Sequence, residues 1–152
     1  MSVKEKPRFI IVDFQTAKDG DQTKNPYIFN HVNLENVYVL LSSDRYHAVD
    51  YHLLFPNQTF SRAYDDAAMF GVKFFGMDKL IAQSNITTSD YKTLYSLIVF
   101  DVSKQMERLK SSVVDIQIKA QFTENVPTNT KAFAVVISDK MLSFQSDGNK
   151  SL

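Results

Sequence analysis

The stretch Val114-Asp-Ile-Gln-Ile-Lys-Ala-Gln-Phe122 and the stretch Ala132-Phe-Ala-Val-Val-Ile137 carry two different strand patterns within one hairpin-sized segment. The first alternates strictly between apolar and polar side chains, which predicts a strand with one wet face. The second is apolar on both faces, which predicts an inner strand of a β-sandwich. Its second face needs a cover, either from the chain's own helical segment or from a neighbouring subunit.

Composition narrows the classes of function before any motif is considered. The chain has 152 residues, enough for one domain with a substantial core. Its 17 basic and 17 acidic side chains cancel, and no local basic patch is visible, so no sequence-specific nucleic acid and no anionic membrane is predicted as partner. Cysteine is absent, which removes disulfides, thiolate metal sites and cysteine nucleophiles together. The stability of the fold must therefore come from a hydrophobic core, which is rich in Phe and Tyr.

The ends of the sequence read as polar tails. Residues 1–7 are charged and lack an apolar stretch, so secretion through a signal peptide is not expected, and no run approaches the roughly 18 apolar residues of a membrane span. We therefore predict an N-terminal tail at 1–7, one domain at 8–145 and a C-terminal tail at 146–152, in a protein of the cell interior.

Between the tails the sequence predicts many strands and few helices. Apolar helical spacing predicts a helix at 61–70, and cap-type residues predict a short helix that begins near Thr88. Because the predicted strands and helices do not alternate one for one, the pattern favours a mainly β sandwich over a parallel βαβ sheet. Besides the two strands of the opening segment, strands are predicted at 8–15, 36–42, 48–55, 97–102 and 141–144.

Candidate chemical sites are weak. His47 and His52 are five positions apart, so on a strand they face opposite sides, and His31 is distant in sequence. No metal site is therefore predicted. Asp65 and Asp66 are neighbours on the predicted helix, where both suit the solvated side.

Nothing in the sequence assembles a nucleophile, a base and an orienting group, and no Gly-rich loop has a phosphate-binding pattern. The aromatic residues lie in apolar strands, so they are interpreted as core rather than as stacking platforms for bases. We predict a protein that is not an enzyme, with no cofactor and no small-molecule substrate.

The C-terminal third has a recognisable order: Leu97-Ile-Val-Phe-Asp-Val102, the alternating strand, Asn125-Val-Pro-Thr-Asn-Thr130, and the apolar strand followed by Ser-Asp-Lys-Met-Leu-Ser-Phe144. This order resembles the closing segment of double jelly-roll major capsid proteins, in particular those of Polinton or adintovirus-like elements. Upstream of Leu97 the resemblance is looser. Such capsid proteins have two jelly rolls in one chain, whereas this chain has room for a single jelly roll with short helical insertions.

The resemblance implies a structural protein of the virion, a jelly-roll subunit that self-associates into capsomers. Its partner is then itself, with a trimer favoured, or other capsid subunits. Candidate interface residues are Phe133, Val135, Ile137 and Met141; the plainer alternative is that they fill the core under the helix at 61–70. A second alternative is a domesticated, non-enzymatic jelly-roll module that binds a receptor, a glycan or a protein. Whether the chain is a complete gene product, a domesticated gene or a fragment stays open.

Overall fold

The computed structural model of the chain describes residues 2–3, 6–77, 86–105 and 113–140. The described strands are β1 (Ser2–Val3), β2 (Pro7–Thr16), β3 (Leu34–Leu41), β4 (Asp44–Tyr46), β5 (Ile98–Asp101), β6 (Val114–Phe122) and β7 (Thr130–Ser138). The described helices are α1 (Ser61–Ala68), α2 (Phe70–Phe75) and α3 (Thr88–Thr93). The predicted strand at 141–144 lies outside the described residues.

The strands form two sheets. A four-stranded sheet has the order β1-β6-β3-β4, and a three-stranded sheet has the order β5-β2-β7. Every ladder between these strands is antiparallel. The prediction of a mainly β, jelly-roll sandwich with short helical insertions is confirmed.

The chain crosses between the two sheets where the sequence predicted a hairpin. Strand β6 pairs with β3 in the larger sheet, whereas β7 pairs with β2 in the smaller one. The two strands of the opening segment therefore belong to opposite layers. Residues 123–129 carry the chain from one layer to the other, and Asn129 adopts a left-handed φ of 61° just before β7 begins.

Strand alternation places the core between the layers. On β6, Val114 and Ile116 are buried while Asp115 and Gln117 are exposed, as the strict alternation predicts. The inner faces of β2 and β3 supply most of the remaining aliphatic core. Its buried members on these two strands are Ile10, Val12, Phe14, Leu34, Val37, Val39 and Leu41.

Aromatic rings fill the end of the sandwich beside α3. Tyr91 of this helix is fully buried, its ring centroid lies 5.6 Å from that of Phe60, and its hydroxyl donates to the carbonyl of Leu97 at 2.9 Å. Phe55 stacks against Phe60 with centroids 5.3 Å apart. The interpretation of the aromatics as core is confirmed for these residues.

The strand predicted at 48–55 is wrong, because only Leu54 of this segment takes part in a β-bridge, with Thr59. Tyr51, Leu53 and Phe55 are buried, yet His52 has a φ of 50°, which breaks the extended backbone. The Tyr51 N–H donates to the side-chain oxygen of Asn36 instead of to a ladder carbonyl. The Leu53 N–H donates to the Glu35 carbonyl of β3 at 2.7 Å, but the segment forms no continuous ladder with β3, whose other end pairs with β4.

The helical prediction at 61–70 is confirmed, with a break at Met69 between α1 and α2. Helix α1 contacts β5, at one edge of the smaller sheet. Helix α2 lays the rings of Phe70 and Phe74 against Phe9 of β2, with centroids 5.2 and 6.0 Å from it. It ends at Gly76, whose φ of 65° suits glycine. The described helices therefore cover the β5 side of the smaller sheet, and no described helix covers the β7 side.

Candidate interaction surface at the β7 edge

Strand β7 forms an edge of the smaller sheet. It pairs with β2 along one side, and among the described residues no strand pairs with its other side. The prediction of an inner strand at 132–137 is therefore wrong for the part of the chain that the structure describes. A strand that is apolar on both faces lies at an edge, where unpaired N–H and C=O groups are open to a further strand.

The outer face of β7 carries three of the four candidate interface residues. Phe133, Val135 and Ile137 alternate along the strand and so share one face. Phe133 is 43% exposed and Val135 is 51% exposed, whereas Ile137 is half-buried opposite Phe9. Met141 lies outside the described residues. The predicted helix at 61–70 was the alternative cover for this face. Helix α2, which continues it, contacts Phe9 but leaves Phe133 and Val135 exposed.

The inner face of β7 borders an apolar cleft of about 190 Å³. Ala132 and Ala134 are too small to fill the space opposite Ile118 and Ala120 of β6, and all four side chains are at least partly exposed. The described residues thus leave the sandwich incompletely closed along this edge. A closed core would leave few such voids.

A buried carboxyl group lies beside this surface. Asp13 of β2 stands directly opposite Phe133 and is 6% exposed. Its Oδ1 atom has no hydrogen-bond partner in the described part of the chain. Because burial disfavours the charged form, the pKa of Asp13 is raised to about 6.

A polar hollow of about 460 Å³ adjoins Phe133 at the start of β7. Lys131 forms an ion pair with Asp19 there. The amino group of Lys18 donates to the carbonyl of Asn25 at 2.8 Å, which fastens the loop that follows β2. The hollow is therefore lined by charged side chains, of which Lys131 and Asp19 are paired with each other, and by the exposed ring of Phe133.

A second polar cluster lies apart from β7, where α1 meets the segment after β4. The Tyr51 hydroxyl is 2.5 Å from His47 Nε2 and donates to Asp66 Oδ2 at 3.1 Å. Arg62 Nη2 lies 3.1 Å from His47 Nδ1. Because a guanidinium group only donates, His47 accepts at Nδ1 and carries its proton on Nε2, which donates to Tyr51.

This cluster holds α1 against the segment after β4 and is unsuited to nucleophilic chemistry. Burial lowers the pKa of His47, against the opposing charge of Asp66, and burial raises the pKa of Tyr51. Both groups are therefore neutral near pH 7, and a phenol with a raised pKa is a poor nucleophile. The hydrogen bonds tie α1 to residues 47–51. Asp65 is exposed, as predicted, whereas Asp66 is only partly exposed and accepts a hydrogen bond from the Tyr51 hydroxyl.

The three histidines lie in different environments. His31 stacks on Phe55 with ring centroids 4.5 Å apart. His47 belongs to the hydrogen-bonded cluster of α1 described above, and His52 is exposed. Within the described residues no group of three or more His, Asp or Glu side chains is arranged to hold a metal ion. In the same residues no helix is long and apolar enough to cross a membrane.

Sequence reasoning missed two features of this region. Asp13 interrupts the apolar run Ile10-Ile-Val-Asp-Phe14, and an acidic residue within a buried strand was the available signal for it. The edge position of β7 had no local signal, because strand order depends on pairings between distant parts of the chain.

Comparison with known proteins identifies the family. Residues 1–142 match the family described as the double jelly roll-like domain. Neither the comparison with curated proteins nor the comparison with solved structures gave a match. The match covers nearly the whole chain and agrees with the two antiparallel layers, the crossing between β6 and β7 and the mainly β composition. The chain belongs to the family of double jelly roll-like domains.

Proposed function

We propose that this chain is a capsid-type structural subunit, whose jelly-roll domain self-associates into capsomers of a viral or transposon-derived shell. Domains of this family are typically structural rather than enzymatic. The proposal includes the attribution to Polinton or adintovirus-like elements and a place in the virion. Its contact region is the outer face of β7, with Phe133, Val135 and Ile137. Met141, which lies outside the described residues, is proposed as a fourth contact residue.

The observation that carries the proposal is the exposure of Phe133 and Val135 next to an open apolar cleft. Full burial of a Phe or Val side chain contributes roughly 1.5–3 kcal/mol, so covering these half-exposed side chains contributes roughly half as much each. Interfaces between identical subunits are richer in apolar side chains than the rest of the surface. A neighbouring subunit thus supplies the cover that α1 and α2 do not.

Light scattering combined with negative-stain imaging tests the proposal. We expect the purified chain at tens of micromolar to form a defined oligomer, with a trimer favoured, and to build larger particles under some conditions of salt and pH. The double variant Phe133→Lys/Val135→Lys should shift the chain to monomer, because like charges replace the apolar contact. Val126→Lys, at a loop valine that is 39% exposed, is the matched control and should leave the oligomer intact. A strict monomer in the wild type contradicts the proposal.

A second candidate function is a non-enzymatic binding module. The polar hollow beside Phe133 favours it, because an aromatic ring next to Gln15, Asn129 and Lys131 resembles the mixed lining that glycans and peptides use. This candidate predicts a small oligomer or monomer that never builds shells. It also predicts that Asn129→Ala reduces binding to a glycan or peptide array without changing the oligomeric state.

A further inference from the structure

The free side of β7 has the features of a strand that pairs with another strand. Natural sheets protect their edges with charges, prolines or bulges, and residues 132–138 of β7 contain no charged residue and no proline. The strand is nine residues long and pairs with β2 over nearly its whole length. Its backbone is therefore held extended and ready to accept a ladder on the open side.

We propose that β7 pairs with β7 of a second copy, antiparallel, about a two-fold axis through Val135, so that the two smaller sheets join into one. The inference rests on the proposed self-association and gives the geometry of its pairwise contact, which joins two copies and is separate from the three-fold contacts of a trimer. In this register Val135 faces its own counterpart, and Phe133 faces Ile137 of the second copy. The axis is perpendicular to the sheet, so the outer faces of the two copies lie on the same side.

Charge selects a second copy and this register. The uncharged stretch 132–138 is flanked by Lys131 on one side and Asp139 on the other. Antiparallel pairing centred on Val135 places Lys131 of each copy opposite Asp139 of the other. The side chains of Lys131 and Asp139 are 57% and 71% exposed, so both are accessible for this contact.

The intrachain partners of these two residues fit the same arrangement. Lys131 is paired with Asp19, and Asp139 lies 3.5 Å from Arg8. Each end of the joined strands thus collects two cations and two anions. A register shifted by two residues in one direction would place Lys131 opposite Ile137. A shift in the other direction would place it opposite position 141, and in both cases Lys131 no longer faces Asp139.

Shape on the inner face supports the same register. Ala134 faces Val136 of the second copy, so a larger side chain meets a smaller one across the new ladder. The open cleft lies directly beneath Ala132 and Ala134. Val136 of the second copy then stands at the mouth of this cleft and helps to close it, where the chain alone leaves Ile118 and Ala120 partly exposed.

Single-cysteine cross-linking of the full chain tests the geometry, because the natural sequence has no cysteine. Directly opposed residues of an antiparallel pair have Cα atoms about 4.5–5.5 Å apart, within the range of about 4.4–6.8 Å that a disulfide requires. Val135→Cys should therefore give a disulfide dimer under mild oxidation. Phe133→Cys alone should not, because its counterpart lies about 13 Å along the ladder.

The register has its own readout. A mixture of Phe133→Cys and Ile137→Cys chains, one of them mass-labelled, should yield the mixed disulfide, whereas neither variant should cross-link with itself. Val126→Cys controls for random collisions, since its loop lies outside the strand. Circular dichroism of each variant verifies that the fold is retained, and the exposure of Val135 makes that the expected result.

The other outcomes separate the inference from the proposed function. An oligomer by light scattering without the Val135→Cys cross-link overturns β7 pairing and leaves self-association standing. A monomer without cross-links overturns both. An intramolecular disulfide between Val135→Cys and a second cysteine placed at 141–144 overturns the pairing by assigning the open edge to the chain's own C-terminal segment.

Discussion

Asp13 is the residue whose environment departs furthest from that of an ordinary carboxyl group. It is nearly fully buried in β2, between apolar neighbours and opposite Phe133, and no cation is paired with it among the described residues. The unfolded chain releases the Asp13 proton near the ordinary pKa of 3.8, whereas the folded chain holds it up to about pH 6. Between these values the folded state binds more protons, so the free energy of unfolding falls as the pH rises.

Asp13→Asn should remove this loss. The stabilisation from the neutral carboxyl is complete below pH 3.8 and gone above about pH 6, and a difference of two pKa units corresponds to about 3 kcal/mol. We expect the variant to raise the free energy of unfolding at pH 7.5 by about 1–3 kcal/mol and to leave it unchanged near pH 4. Urea titrations at one dilute protein concentration measure this.

Asp19→Asn is the matched control for that experiment. Its side chain is 72% exposed and its ion pair with Lys131 lies at the surface, so the free energy of unfolding should change by less than about 1 kcal/mol at either pH. A loss of stability in Asp13→Asn at pH 7.5 contradicts the account, since it means that the carboxylate has a favourable partner when charged.

At the scale of elements, helix α3 depends on its first cap. Thr87 has an extended backbone, its side-chain oxygen accepts from the Asp90 N–H at 3.1 Å, and its hydroxyl donates to Asp90 Oδ2 at 2.8 Å. The helix spans six residues and presents Tyr91 to the core. So short a helix has little stability of its own, and the cap contributes much of it.

Thr87→Ala should therefore lower the free energy of unfolding by about 1 kcal/mol. Thr93→Ala is the control, because the Thr93 hydroxyl donates to the Ser89 carbonyl within the helix and satisfies no orphan N–H. Its effect should be smaller. Urea denaturation at pH 7 compares the two variants, and equal losses would show that general helix propensity, not the cap, sets the stability of α3.

The elements also show how far sequence could predict this fold. Strict alternation located β6 to the residue, because a strand with one wet face has a two-residue period of apolar side chains. The strand predicted at 48–55 did not form, although Tyr51, Leu53 and Phe55 of that segment are buried. Burial depends on the local pattern, whereas pairing also depends on the φ of His52 and on the Asn36 side chain that replaces a ladder carbonyl.

The edge position of β7 was beyond sequence for the same reason. Apolar side chains on both faces are typical of a strand inside a sheet, and they are equally typical of an edge that a partner covers. Among the candidate interface residues, the sequence pattern placed Phe133, Val135 and Ile137 on one face. Their exposure followed only from the order β5-β2-β7 and from the position of α1 at the opposite edge.

At the scale of the whole molecule, the described residues pack closely on one side of the sandwich and leave an apolar cleft on the other. Buried aliphatic side chains of β2, β3 and β6 and the aromatic group around Tyr91 form one continuous core. Toward β7 the burial of β6 side chains declines, from fully buried Val114 to partly exposed Ile118 and Ala120. The proposed association along β7 would add apolar burial to this side, so it would link folding thermodynamically to association.

The linkage predicts a thermal midpoint that depends on protein concentration. Association raises the stability of the folded state by mass action, so a hundredfold increase in concentration should raise the Tm of the wild type by about 4 °C. Val135→Lys should abolish this dependence, because a charge in the middle of the uncharged edge opposes pairing. Since Val135 is half-exposed in the single chain, the Tm of this variant should equal that of the wild type at high dilution.

Val126→Lys is the control, because the loop after β6 lies outside the paired strand. The Tm of this variant should depend on concentration as that of the wild type does. Differential scanning fluorimetry over a hundredfold range of concentration measures all three proteins. The result that contradicts the linkage is a Tm of Val135→Lys that lies below the wild type by the same amount at every concentration. Val135 would then stabilise the fold of the single chain, and the open side of the sandwich would be complete without a partner.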